Sequence, residues 1–128
     1  MISGIGTDIV EVARIKALLE KHPASFLDHI FTEKEQAEAA KRKNPAEYYA
    51  GRWAVKEAVS KALGSGIGED CAWRDIETLN DSRGKPDAKL SGDAKKSAAA
   101  KSIDDIHVSI SHEKHYACAF VVLSCNGG

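Results

Sequence analysis

The chain has 128 residues and a mass of 13.8 kDa; 43% of it is hydrophobic and 29% charged, with 18 Lys and Arg against 19 Asp and Glu. That size predicts one globular domain over residues 1–128, and the net charge of -1 argues against a nucleic-acid binder. There is no apolar run of the roughly 20 residues a bilayer demands and no secretory pattern, and the scattered Cys71, Cys118 and Cys125 form no C-x-x-C, so the expectation is a cytoplasmic protein, not in a membrane, without disulfides or thiolate zinc.

Residues 2–8 read as a short strand with glycines at positions 4 and 6, a spacing that suggests close approach of another backbone or a ligand. A helix is predicted over 11–21, with Val12, Ile15, Leu18 and Leu19 on one stripe, closed by His22-Pro23. Thr32 and Glu35 make a capping box for a second helix over 33–42. Asn44-Pro45 precedes a third over 46–63, ended by Gly64-Ser65-Gly66. Strands over 76–79 and 88–90 flank a turn containing Gly84-Lys85-Pro86. After a helix over 92–101, residues 106–111 alternate apolar and polar as a half-buried strand does, and 116–123 is an apolar run that suits its partner. The class expected is α+β, a mainly antiparallel sheet packed against a long helix.

On a helical wheel the third helix shows a broad apolar face of Ala54, Val55, Ala58, Val59 and Ala62. Glu57 and Lys61 lie together at its margin beside Trp53, fitting either a solvated i, i+4 ion pair or a site. Arg52 falls near Val59 and is expected to snorkel to solvent. Asp8, where the first strand gives way to a helix, fits a helix cap or a ligand for a hard cation. Magnesium takes one or two protein carboxylates and completes its octahedron with waters and substrate phosphates, so Asp8 and Glu57 would suit it if the fold brought them together. Ser111 and His112 leave their strand at a turn. With Lys85 and the amides of the Gly84-Lys85-Pro86 turn they would make a phosphate cradle. There is no Walker A loop, no G-x-G-x-x-G and no H-E-x-x-H.

Four segments in order resemble the holo-acyl-carrier-protein synthase family of 4′-phosphopantetheinyl transferases. They are Gly4-Ile5-Gly6-Thr7-Asp8-Ile9-Val10-Glu11 with Arg14-Ile15; Phe31-Thr32-Glu33-Lys34-Glu35; the long run from Tyr49-Ala50-Gly51-Arg52-Trp53 through Lys56-Glu57-Ala58 and Lys61 to Gly64; and Val108-Ser109-Ile110-Ser111-His112 with Tyr116-Ala117. Asp75-Ile76-Glu77 and Gly84-Lys85-Pro86 also fit, whereas Trp53 stands where the family often has Phe and Ser65 where Thr is common. The resemblance implies that CoA donates its phosphopantetheine arm to a serine of an acyl carrier protein, releasing adenosine 3′,5′-bisphosphate. It places Mg²⁺ on Asp8 and Glu57 and the CoA diphosphate against Lys61. The adenosine end would fall to Ser111, His112 and the Gly84-Lys85-Pro86 turn, with Arg52 as a further phosphate contact. The general base would be Glu57 or a metal-bound water. It also implies a homotrimer with sites between subunits, and docking of the acidic carrier protein on the first helix through Arg14 and Lys21, with Lys16 beside them. Two other readings use the same residues: a magnesium-dependent phosphohydrolase and a CoA-binding module without turnover.

Overall fold

The computed structural model describes residues 1–126. In chain order the elements are β1 (Ile2–Glu11), α1 (Val12–Lys21), α2 (Pro23–Ile30), α3 (Glu33–Ala40), α4 (Pro45–Leu63), β2 (Ile76–Asn80), β3 (Pro86–Leu90), α5 (Gly92–Ala100), β4 (Asp105–His112) and β5 (Tyr116–Ser124), with a 3-10 turn at Trp73–Asp75. The strands form two antiparallel sheets, β1-β5-β4 and the hairpin β2-β3. This is the α+β arrangement expected.

Two expectations about the first third of the chain need correction, and one element is added. β1 does not end at Asp8: it stays paired with β5 through Glu11 opposite Tyr116, so Asp8 sits inside a strand, opposite Ala119. His22-Pro23 does close α1, at Lys21 with His22 as its cap, but a further, unexpected helix follows at once. Pro23 opens α2, because a first-turn residue has no intrahelical use for the N–H that proline lacks. α3 stops at Ala40, where the amides of Lys41 and Arg42 turn back to Glu38 O at 3.1 Å and Ala39 O at 3.0 Å, tightening the last turn.

α4 organises the rest. Pro45 stands in its first turn, and Gly64 ends it in the left-handed region at φ 83°. Ala50, Ala54 and Ala58, at intervals of four, are fully buried, and this small-residue stripe lets α4 lie against the sheet. The approach is closest at the two glycines of β1. A Cβ on Gly4 would collide with the Ala62 carbonyl oxygen, and one on Gly6 with that of Ala58. The close neighbour that the glycine spacing called for is therefore the α4 backbone. Val55, Val59 and Leu63 of α4 join Ile15, Phe31, Ile76, Val121 and Leu123 in the core.

Among the described residues nothing covers the other face of the three-stranded sheet. Ile5, Ile9, Tyr116 and Phe120 are 66%, 67%, 47% and 56% exposed, and Phe120 faces Thr7 on one side and Ser109 on the other. The three cysteines are free thiols. Among the described residues no helix is long and apolar enough to cross a membrane.

Candidate active site

With Gly6 drawn against Ala58, the next residues of β1 carry Asp8 to the C-terminal half of α4. Lys61 meets it there, donating from Nζ to Asp8 Oδ1 at 3.2 Å and to Thr7 O at 3.1 Å. The i, i+4 partnership of Lys61 with Glu57 is thus replaced by a bond across the seam between helix and strand. Glu57 is half-buried, and burial raises its carboxyl above the ordinary range, with the Asp8 charge adding to the rise and Lys61 and Arg14 opposing it. Two carboxylates from different elements, short of water and repelling one another, suit a hard divalent cation. Among the described residues no three His, Cys, Asp or Glu side chains gather into a metal cage. A two-carboxylate set is what magnesium uses when substrate phosphates complete its shell.

The N-terminal half of α4 borders a different feature, a cleft of about 240 Å³ lined by Arg42, Lys43, Tyr48, Arg52, Asn80 and His112. Arg52 does not snorkel to solvent: it is 5% exposed. Its Nε donates to Thr78 O at 3.1 Å and a terminal nitrogen to Asn80 Oδ1 at 2.7 Å, with the guanidinium 4.2 Å over the Tyr48 ring. Arg42 covers the same ring at 4.8 Å. His112 Nδ1 stands 3.9 Å from Glu47 Oε1. Arg42 and Lys43 were not among the expected site residues, although the basic run Lys41-Arg42-Lys43 ahead of Asn44-Pro45 was there to be read. Glu57 lies nine residues beyond Tyr48, roughly 14 Å along the helix axis, so the cleft and the acid pair are separate places on one helix.

The phosphate cradle expected from Lys85, Ser111 and His112 is divided within one chain. Alternation along β4 puts Ser111, opposite Cys118, on the uncovered sheet face and His112 on the α4 side. The Gly84-Lys85-Pro86 turn is held by Asp81, whose Oδ1 accepts the amides of Arg83 at 2.8 Å and Lys85 at 3.0 Å, with Gly84 at φ 85°. Lys85 and Pro86 border another cleft, with Ile106, His107 and Val108 at the opposite end of β4 from His112. On α1, Arg14, Leu18 and Lys21 share a stripe at helical spacing, both cations are exposed, and the Arg14 guanidinium stands 5.8 Å from the half-buried Trp53 ring. Lys16 turns away to a groove beside Glu20 and Glu47.

An acid pair with a lysine bonded to one of its members, and a basic cleft further along the same helix, equip this fold for work on phosphate esters. A family model described as the 4′-phosphopantetheinyl transferase superfamily matches residues 4–121. A holo-[acyl-carrier-protein] synthase of Caldanaerobacter subterraneus subsp. tengcongensis is 49% identical over 118 residues, covering 92% of this chain and 91% of its own. The crystal structure of a holo-[acyl-carrier-protein] synthase from Neisseria meningitidis superposes with a TM-score of 0.90 at 37% identity, over 97% of this chain and 99% of that one. Another, from Bacillus anthracis in complex with CoA (3′,5′-ADP), gives a TM-score of 0.83 at 43% identity, over 98% and 99%. The chain belongs to the 4′-phosphopantetheinyl transferase superfamily, as its motifs implied.

Proposed function

We propose that this protein is a cytoplasmic, magnesium-dependent holo-[acyl-carrier-protein] synthase that works as a single transferase domain in a homotrimer. It transfers 4′-phosphopantetheine from CoA to a serine of apo acyl carrier protein, giving the holo carrier and adenosine 3′,5′-bisphosphate. The serine Oγ attacks the phosphorus that bears the pantetheine arm, the bond from that phosphorus to the bridging oxygen breaks, and the nucleotide leaves with the electron pair. The observation that carries the reading is the convergence of Asp8, Glu57 and Lys61 at the seam of β1 and α4.

Asp8 and Glu57 would hold Mg²⁺, which when bound neutralises the diphosphate. Lys61, half exposed and already turned into the site, meets the charge that develops on the leaving phosphate. The serine proton must pass to a basic group here, which would be either a Glu57 carboxylate oxygen or a water held by the cation. Arg52 and His112 serve the phosphorylated adenosine end, and the lining of their cleft adds Arg42 and Lys43 to that set. Ser111 and the Gly84-Lys85-Pro86 turn would contribute from elsewhere. Their separation within one chain, and the apolar sheet face of Ile5, Ile9 and Phe120, support sites completed between subunits of a trimer. Arg14 and Lys21 form the carrier-protein docking stripe, and the free thiols agree with a reducing compartment.

Chromatography of the nucleotide product tests this reading. Adenosine 3′,5′-bisphosphate should form only when apo carrier protein is present, and only with Mg²⁺. Release of free phosphopantetheine without a carrier would make the protein a phosphohydrolase, and CoA binding without turnover would make it a binding module.

A further inference from the structure

Beneath α4, away from β1, lies a charged pair that the chemistry above does not use. Lys56 Nζ stands 2.8 Å from Glu35 Oε1, and neither side chain has any exposure to solvent. Every hydrogen-bonding group of the pair is employed. Lys56 also donates to Trp73 O at 3.1 Å and to Ile76 O. Glu35 accepts the Thr32 amide at Oε1, 3.0 Å, and the Thr78 amide at Oε2, 2.9 Å. One turn back along α4, Arg52 takes Thr78 O and Asn80. The edge of β2 that does not pair with β3 is therefore held at 76, 78 and 80 by side chains of α3 and α4.

A buried pair of this kind is weak evidence for stability, since apolar residues of similar volume often replace it at little cost. Its demand is geometric. Lys56 immediately precedes Glu57, so the two side chains leave the helix about 100° apart, one toward β2 and the other toward Asp8. On the β1 side the closest contacts of α4 are with glycine backbone, and the half-exposed Lys61 that crosses to Asp8 is a weak tooth against rotation. A rotation of α4 by about 20° would swing a carboxylate carried about 6 Å from the axis by roughly 2 Å. Magnesium demands oxygens near 2.0–2.1 Å in close to octahedral geometry. We propose that Lys56 and Glu35 are positioning residues, their buried bond fixing the rotation of α4 and so the place of the Glu57 carboxylate relative to Asp8. The proposal rests on the reading that Asp8 and Glu57 hold a divalent cation.

The test is Mn²⁺ binding, read by the loss of the free-ion electron paramagnetic resonance signal, in the presence of CoA and without carrier protein, so that no turnover occurs. Lys56→Met should raise the Mn²⁺ Kd about ten-fold or more, the loss typical when a group that orients a metal ligand is removed. Lys56→Arg, which keeps the charge and the donors, should stay within about three-fold of wild type. Circular dichroism at the assay temperature defines the folded fraction to which each Kd refers. A merely structural role would lower the melting temperature and leave the Kd of the folded protein unchanged, and that result in Lys56→Met overturns the proposal. If Lys56→Met does not fold, Glu35→Gln carries the same expectation, and wild-type Mn²⁺ affinity in it is equally fatal. Asp8→Ala separates the two levels of the argument. If it binds Mn²⁺ as wild type does, the cation reading fails and the positioning proposal falls with it.

Discussion

Lys61 reaches across the seam between α4 and β1 to Asp8, 3.2 Å from Nζ to Oδ1, and the side chain that does so is half exposed. The lysine end is open to water although Asp8 is only 15% exposed, so the bond contributes modestly to stability: solvent screens it in part, and ordering a long side chain costs entropy. Its value lies in where it holds the ammonium. Lys61→Met should therefore lower unfolding free energy by only about 1 kcal/mol, while transfer falls at least about 100-fold, the scale on which a single transition-state donor is felt. Urea denaturation and steady-state kinetics on the same preparation check both halves.

Asp8→Ala and Glu57→Gln should each abolish transfer without disturbing the fold. For Glu57 the metal-free protein adds a signed prediction. Its folded carboxyl is raised, chiefly by burial and then by Asp8. A group raised on folding stabilises the protein below its unfolded pKa and loses that contribution as pH rises through the folded one. Glu57→Gln should thus be more stable than wild type at pH 7 when both are metal-free, with the difference shrinking toward pH 4. Chelator-treated samples melted across that range decide it, and a variant less stable than wild type at pH 7 contradicts the assignment of strain to this site.

Gly6 is the contact that brings strand and helix together. Gly6→Ala places a Cβ against the Ala58 carbonyl, a backbone group that cannot step aside as a side chain would. A loss of about 1–3 kcal/mol is expected, the usual scale for overpacking. Activity should fall further than stability does, because displacing α4 separates Glu57 and Lys61 from Asp8.

Much of this was open to inspection in the sequence. Alternation fixed the faces of β4, glycine spacing announced the close approach at β1, and the capping box of Thr32 and Glu35 forms as read. What the sequence hid is tertiary. Arg52 looks like a solvated cation on a wheel because a wheel knows only one neighbour, and α4 is buried from both sides, by β1 and β5 and again by β2. Nothing local announces that Glu35, besides capping α3, takes up a lysine from another helix. The division of Ser111 from His112 follows from period two, yet a motif read as a string runs them together.

His112 borders the basic cleft, half of its side chain open to ligand. His112→Ala should weaken CoA about ten-fold, the scale of one hydrogen bond to a charged group, and should weaken the analogue lacking the 3′-phosphate much less. Calorimetric titration with the two ligands distinguishes this from a packing role, which would cost both equally.

Arg14→Glu should raise the KM for carrier protein several-fold, leave CoA affinity within about two-fold, and flatten the salt dependence of capture. Exposed charges are screened beyond about 8–10 Å at physiological salt, so the wild-type rate should fall as salt rises. Unchanged carrier kinetics and an unchanged salt slope would remove α1 as the docking element.

The central claim is the transfer itself, and intact-protein mass spectrometry of an apo acyl carrier protein reads it most directly. After incubation with this protein, CoA and Mg²⁺, the carrier should gain the mass of one phosphopantetheinyl group on its serine. The gain should vanish when that serine is alanine or when Glu57→Gln replaces the wild type. A carrier that keeps its apo mass while CoA is bound or cleaved would contradict the account.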